Sequence, residues 1–180
     1  MRRWGIWYWV LLIGATSWAW AAAEARYGQW HLQARKLGGK PGLLYAVGEV
    51  VVTGQRVGRV QAEVKLTAPR VTYQVGKGPD GKTTLVTITA ESKVHFEADY
   101  LEPAAAEGEE PTPVHVEAEG VYALYREETQ SIELRGSPNS PVVVTVTYGR
   151  GESAQTVTAT ATESITYWLD AEAEIELPPE

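Results

Sequence analysis

Apolar and polar residues alternate along most of this chain, most plainly near its end. From Val157 to Leu177 the apolar positions are Val157, Ala159, Ala161, Ile165, Tyr167, Leu169, Ala171, Ala173, Ile175 and Leu177, all in one odd-numbered register. Thr158, Thr160, Thr166, Asp170, Glu172, Glu174 and Glu176 occupy the other register. A period of two puts successive side chains on opposite faces of a β-strand, one apolar and one solvated. Glu163 is the only charge in the apolar register, which predicts a bend near Glu163 and Ser164 that divides the run into two strands.

The same design recurs upstream. A first short strand is predicted around Trp30-His31-Leu32-Gln33-Ala34, ended by a turn at Gly38-Gly39-Lys40-Pro41-Gly42. Leu43 to Thr53 follows as a strand, with Gly48 marking a bulge, and Gln55 to Gly58 turns the chain. Val60, Ala62, Val64 and Leu66 then alternate with Arg59, Gln61, Glu63 and Lys65. After Pro69 the apolar phase switches to Val71, Tyr73 and Val75, as a bulge requires. Pro79-Asp80-Gly81 presets the tip of a hairpin spanning Gly76 to Lys82. The return strand, Thr84 to Asp99, has Val86, Ile88 and Ala90, then Val94, Phe96 and Ala98, as its inward set. Residues 102–113 are acidic, rich in Pro and Ala and aperiodic, which predicts a mobile loop.

Strand character resumes over Val114 to Tyr125, at Ile132 and Leu134, and from Val142 to Tyr148, with turns at Glu127 to Thr129, Gly136 to Pro141 and Gly149 to Glu152. Nine to eleven strands and no helix are expected. A degenerate unit of a small residue, a polar bend and then β-branched or aromatic residues recurs at Ala68-Pro69-Arg70-Val71, Ala90-Glu91-Ser92-Lys93-Val94, Ala118-Glu119-Gly120-Val121 and Ala161-Thr162-Glu163-Ser164-Ile165. Its uneven spacing suggests hairpin units with insertions.

Composition narrows the setting. With 180 residues, 44% of them hydrophobic, the chain is long enough for one domain with a real core, and the lack of cysteine excludes a disulfide framework. Arg2 and Arg3 precede an uncharged stretch from Trp4 to Ala23 that ends in small residues, the grammar of an export signal. The stretch also approaches the length of a membrane span, and it holds five of the seven tryptophans, so a retained anchor is the other reading of residues 1–23. Residues 24–180 then form a single exported domain. With Arg2 and Arg3 removed it carries 14 basic and 23 acidic residues, a charge of −9, and no basic stripe is visible along the sequence. That balance argues against nucleic acid as a partner.

Candidate chemistry is sparse. His95 and Glu97 fall on one strand face, yet His95 and His115 belong to the polar register with Lys93 and Glu117, and His31 stands apart, so solvated side chains explain them better than a metal site. No Gly-x-Ser-x-Gly elbow, phosphate loop or zinc-ligand spacing occurs. The sequence therefore points to a non-catalytic protein without metal or cofactor. The acidic row from Asp170 to Glu176 fits a solvated strand face that deters aggregation.

Four stretches carry a resemblance. Tyr45-Ala46-Val47-Gly48-Glu49-Val50-Val51-Val52, Leu66-Thr67-Ala68-Pro69-Arg70-Val71-Thr72-Tyr73, and the set Ile132-Glu133-Leu134-Arg135-Gly136 with Ile165-Thr166-Tyr167-Trp168-Leu169 resemble the short strand motifs of the OstA-like family of periplasmic lipopolysaccharide-transport proteins, which includes LptA and LptC. The resemblance runs roughly from Trp30 to Leu177. It implies an all-β, antiparallel, incompletely closed β-jellyroll of two sheets forming a V, with acyl chains of lipopolysaccharide or a similar lipid in the apolar interior. It also implies open edges that join other OstA-like domains, and a periplasmic location as a soluble bridge or an inner-membrane-anchored partner. On this reading Val60, Ala62, Val64, Leu66, Val144, Val146, Ile165, Tyr167 and Leu169 line the lipid groove. The same residues would equally fill the closed core of a structural envelope protein that assembles through sheet edges. The predominance of Val and Ala, with a single Phe, suggests spare volume between the sheets.

Overall fold

A computed structural model describes residues 22–40, 42–58, 60–78, 81–104 and 110–169. They form eleven antiparallel strands and one 3-10 turn, with no α-helix among the described residues. The strands are β1 (Ala23–Tyr27), β2 (Trp30–Ala34), β3 (Lys36–Lys40), β4 (Leu43–Val57), β5 (Ala62–Lys77), β6 (Thr83–Glu102), β7 (Thr112–Arg126), β8 (Ser131–Arg135), β9 (Val142–Tyr148), β10 (Gln155–Ala161) and β11 (Ser164–Trp168).

Four of these strands are long enough to serve two sheets. Register shifts fall at Val47/Val50 in β4, at Thr67/Arg70 between β5 and β6, and at Glu91/Val94 between β6 and β7. β7 changes its outer partner from β9, up to Glu119, to β8, from Tyr122 onward. These bends divide the molecule. Sheet I has the order β3-β4-β5-β6-β7-β8-β11, and sheet II the order β1-β2-β4-β5-β6-β7-β9-β10. Short strands make the same crossing through loops, at Arg35, at Gly136 to Pro141 and at Thr162-Glu163. Backbone hydrogen bonds tie neighbouring crossings together, from Arg35 N to Gly48 O (3.0 Å) and from Gly136 N to Glu163 O (2.8 Å).

Local chemistry explains the bends. Gly48 at φ 84°, Glu49 at 49°, Ser92 at 64° and Lys93 at 52° adopt left-handed backbone, which inserts the extra residue of a bulge and turns the strand. Pro69 removes a ladder donor at the corresponding point of β5. The degenerate unit of the sequence coincides with this row, and its alanines, Ala68, Ala90, Ala118 and Ala161, are all buried. They sit at the bends, where the sheets converge.

Some expectations shift. Gly38 and Gly39 belong to β3 rather than to a turn, because Gly38 leaves room for the Tyr45 ring and Gly39 for the backbone of Leu43. β4 continues through Val57, so the turn begins at Gly58. Leu85 takes the buried place expected of Val86, since the register between β5 and β6 slips again between Gln74 and Val75. Val157 is 55% exposed, although it shares the register of Ala161, because β10 overhangs the edge of the facing sheet. The expected bend at Glu163 is present, and it separates β10 from β11. Asp170 to Leu177 and the N-terminal stretch through Ala21 lie outside the described residues.

The bulge geometry makes a direct prediction. Ser92→Val places a good strand former where φ is positive, so it is expected to destabilise the fold by about 1–2 kcal/mol in urea titration, opposite in sign to strand propensity.

Candidate functional site

Larger side chains also pack between the sheets. Tyr73, Ile88, Phe96, Tyr125, Ile132 and Tyr167 are buried between the sheets, and among the described residues only Thr84 and Ser131 interrupt the buried set with a polar side chain. The interior is thus an apolar wedge, with buried alanines and valines along the bends and aromatic residues between the sheets.

Aromatic contacts close that mouth. Trp30 of sheet II meets Tyr125 of sheet I edge-on with ring centroids 4.9 Å apart, Tyr27 meets Tyr73 at 5.7 Å, and Phe96 meets Tyr167 at 6.4 Å. The Tyr167 hydroxyl donates to the Tyr100 hydroxyl at 2.6 Å, joining β11 to the far end of β6. Beyond β11, Leu169 donates its backbone N–H to Gln130 O (2.8 Å) and lies against Gly58, where any side chain would strike the Leu169 carbonyl. Gly58 has φ 71°, so both space and backbone require glycine there.

The tyrosines are electrostatically committed to the neutral form. Burial, reinforced by the Tyr100 hydroxyl, holds Tyr167 well above the usual tyrosine range, and burial raises Tyr100 as well. Tyr125 is raised by burial and by donating to the Glu127 carboxylate. Trp30 Nε1 is the one buried side-chain polar atom without a hydrogen-bond partner among the described residues.

Eight of the nine groove positions inferred from the sequence come together in this wedge. Ala62, Val64, Leu66, Val144, Val146, Ile165, Tyr167 and Leu169 are each at most 5% exposed, so they pack into a closed interior. Val60 is only half-buried and instead lines a cleft of about 730 Å³ at the end of sheet II, with Tyr100, Leu101, Val114, Asp99, His115 and Arg150 among its walls. Trp30, Tyr100 and Tyr125 were not singled out by sequence, although Tyr100 extends the alternation of Phe96 and Ala98.

His95 and His115 lie on the outer polar face, as expected. His95 Nε2 is 2.8 Å from Glu97 Oε1, and the same carboxylate accepts from Lys65 Nζ at 3.0 Å. The Lys65 ammonium, then His95, holds the Glu97 carboxyl below the usual range. His115 Nδ1 is 2.8 Å from Asp99 Oδ1. Among the described residues no group of three or more His, Asp or Glu side chains is arranged to hold a metal ion.

Fold and interior together define the class, an all-β antiparallel jellyroll of two sheets that does not close into a barrel and encloses an apolar wedge. The chain is similar to LptH, the LptA homologous periplasmic component of the lipopolysaccharide transport device from Pseudomonas aeruginosa, with a TM-score of 0.46 and 17% identity over 83% of this chain and 95% of that one. No family model and no curated protein matches the chain.

Two outcomes follow from the mouth. Tyr167→Phe leaves the Tyr100 hydroxyl unpaired and is expected to cost about 1–2 kcal/mol in chemical denaturation. In wild type the raised tyrosines keep protons that the unfolded chain releases. Stability should therefore hold up to about pH 10, the ordinary tyrosine value, and fall as pH rises beyond it, less steeply in Tyr167→Phe.

Proposed function

We propose that this chain is an exported, non-catalytic lipid-binding module that shelters the acyl chains of lipopolysaccharide or a similar lipid between the inner and outer membranes. The observation that carries the reading is the wedge itself. Its walls are apolar from apex to mouth, and its closure is non-covalent, made of ring contacts, one hydroxyl pair and the short segment around Leu169. Sheets joined by bends along one side and by side chains along the other are able to part at the mouth while every long strand stays intact.

Entry of an acyl chain replaces contacts between the two sheets with contacts to lipid. Each methylene withdrawn from water contributes about 0.8 kcal/mol, so a few of them offset the loss of the ring contacts and the tyrosine hydrogen bond. The unpartnered Trp30 N–H supports the same reading, since a lipid carbonyl oxygen brought into the wedge would satisfy a donor now buried at a cost. Ala62, Val64, Leu66, Val144, Val146, Ile165, Tyr167 and Leu169 then serve as walls of the opened site, with Val60 at its end. Residues 1–23 serve as export signal or anchor, and β1, β3, β10 and β11, the edges among the described residues, offer ladders to a second jellyroll domain.

The nearly complete exclusion of water from these residues favours a second reading, a structural envelope domain whose interior is only a core. A fluorescent fatty-acyl probe separates the two. Full-length protein is expected to take up the probe saturably and to release it to lipopolysaccharide, and Ile165→Trp, folded by circular dichroism, is expected to lower uptake at least tenfold. Exclusion of the probe at high concentration by folded wild type would leave the structural reading.

A further inference from the structure

Cations scattered along the sequence are gathered by the fold onto one surface. Ladder pairing places Lys36 beside Val47, Val47 beside Arg70, Arg70 beside Glu91, Glu91 beside Tyr122, and Tyr122 beside Arg135 across the outer face of sheet I. Lys40 and Arg126 lie on the same face, opposite Leu43 and Thr87. Five cations therefore share this face with the carboxylates of Glu91 and Glu133. The outer face of sheet II has the opposite sign, with Glu63, Glu97, Asp99, Glu117 and Glu119 in register around Lys65. A chain that is acidic overall thus carries one basic side, which the lack of a basic stripe in the sequence did not foretell.

The basic face is also apolar and aromatic. Leu43 and Val47, 51% and 39% exposed, lie on it, and Leu43, Tyr45 and Val47 alternate outward along β4. Tyr45 is held flat across β3, because Gly38 offers no side chain to displace its ring. The Arg135 guanidinium stands 5.0 Å over the Tyr122 ring, and Trp168 ends the face on β11. Exposed aliphatics, amphipathic rings and long cationic side chains on one surface match a headgroup layer. There the rings and aliphatics enter the interface while Arg and Lys remain at the phosphates. A soluble polyanion would use the charges and gain nothing from Leu43 or Val47.

We infer that the outer face of sheet I docks on an anionic bilayer surface, placing the acidic face of sheet II away from the lipid. This inference does not depend on the interior binding lipid. Because the chain has no cysteine, single substitutions can be labelled uniquely. In full-length protein, a polarity-sensitive fluorophore on Val47→Cys is expected to shift to the blue on phosphatidylcholine vesicles containing phosphatidylglycerol, with a shift at least threefold smaller on phosphatidylcholine alone. The same label on Thr158→Cys, on the opposite face, is expected not to move. Adding Arg70→Glu and Arg126→Glu is expected to return the Val47 label to its value in water, with circular dichroism unchanged. A shift at both labels, at neither, on vesicles regardless of those substitutions, or without vesicles as protein concentration rises, the sign of a second copy on this face, overturns the inference. If the double substitution unfolds the domain, loss of the phosphatidylglycerol-dependent shift in high salt supports it and persistence there overturns it.

Discussion

Four strands belong to two sheets each, and the row of bends that makes this possible is the constraint on which the rest of the molecule depends. Bulges at the same level in β4 and β6, the bend at Pro69 in β5 between them, and a change of partner at Gly120 in β7 fold one continuous antiparallel ladder over on itself. The sheets cannot slide apart at the apex, because the backbone of every long strand crosses it. Buried alanines lie along that line, and on the opposite side the described contacts between the sheets are ring contacts and a hydroxyl pair. Packing, closure and the site all follow from that asymmetry.

The mouth is closed by a different kind of contact. Ring edges and a hydroxyl pair hold β11 and the ends of β2, β6 and β7 together, and Leu169 covers the turn at Gly58. Such contacts contribute about 0.5–1.5 kcal/mol each, far less than separating four bent strands would cost. The wedge is therefore stiff on one side and separable on the other. On the proposed function, an acyl chain is a slender apolar guest that such an opening would admit without loss of the ladders.

Strand content and bends were legible in the sequence because both leave local marks. Period two reveals a strand, a phase change at Pro69 reveals a bend, and the repeated small residue before a polar bend marks every crossing of β5, β6 and β7. Closure left no such mark. Whether Ile165 and Tyr167 face open space or Tyr100 and Phe96 depends on how far the sheets splay, which is a property of pairs distant in sequence. Gly58 and Leu169 show the same limit, since their contact spans more than half the chain. The basic face was illegible for a related reason, because Lys36, Arg70, Arg126 and Arg135 become neighbours only through the ladder. Val157 shows the converse error, an apolar register that promises burial on a strand that no described element faces.

Parting of the mouth is the central claim, and distance measurement tests it without relying on affinity. Spin labels at Thr166→Cys on β11 and Thr147→Cys on β9 report the separation of sheet I from sheet II by electron double resonance in full-length protein. A distance that lengthens when lipopolysaccharide is added, and returns when it is withdrawn, is the expected result. An unchanged distance with lipopolysaccharide demonstrably bound would contradict it, and the interior would then be a permanent core.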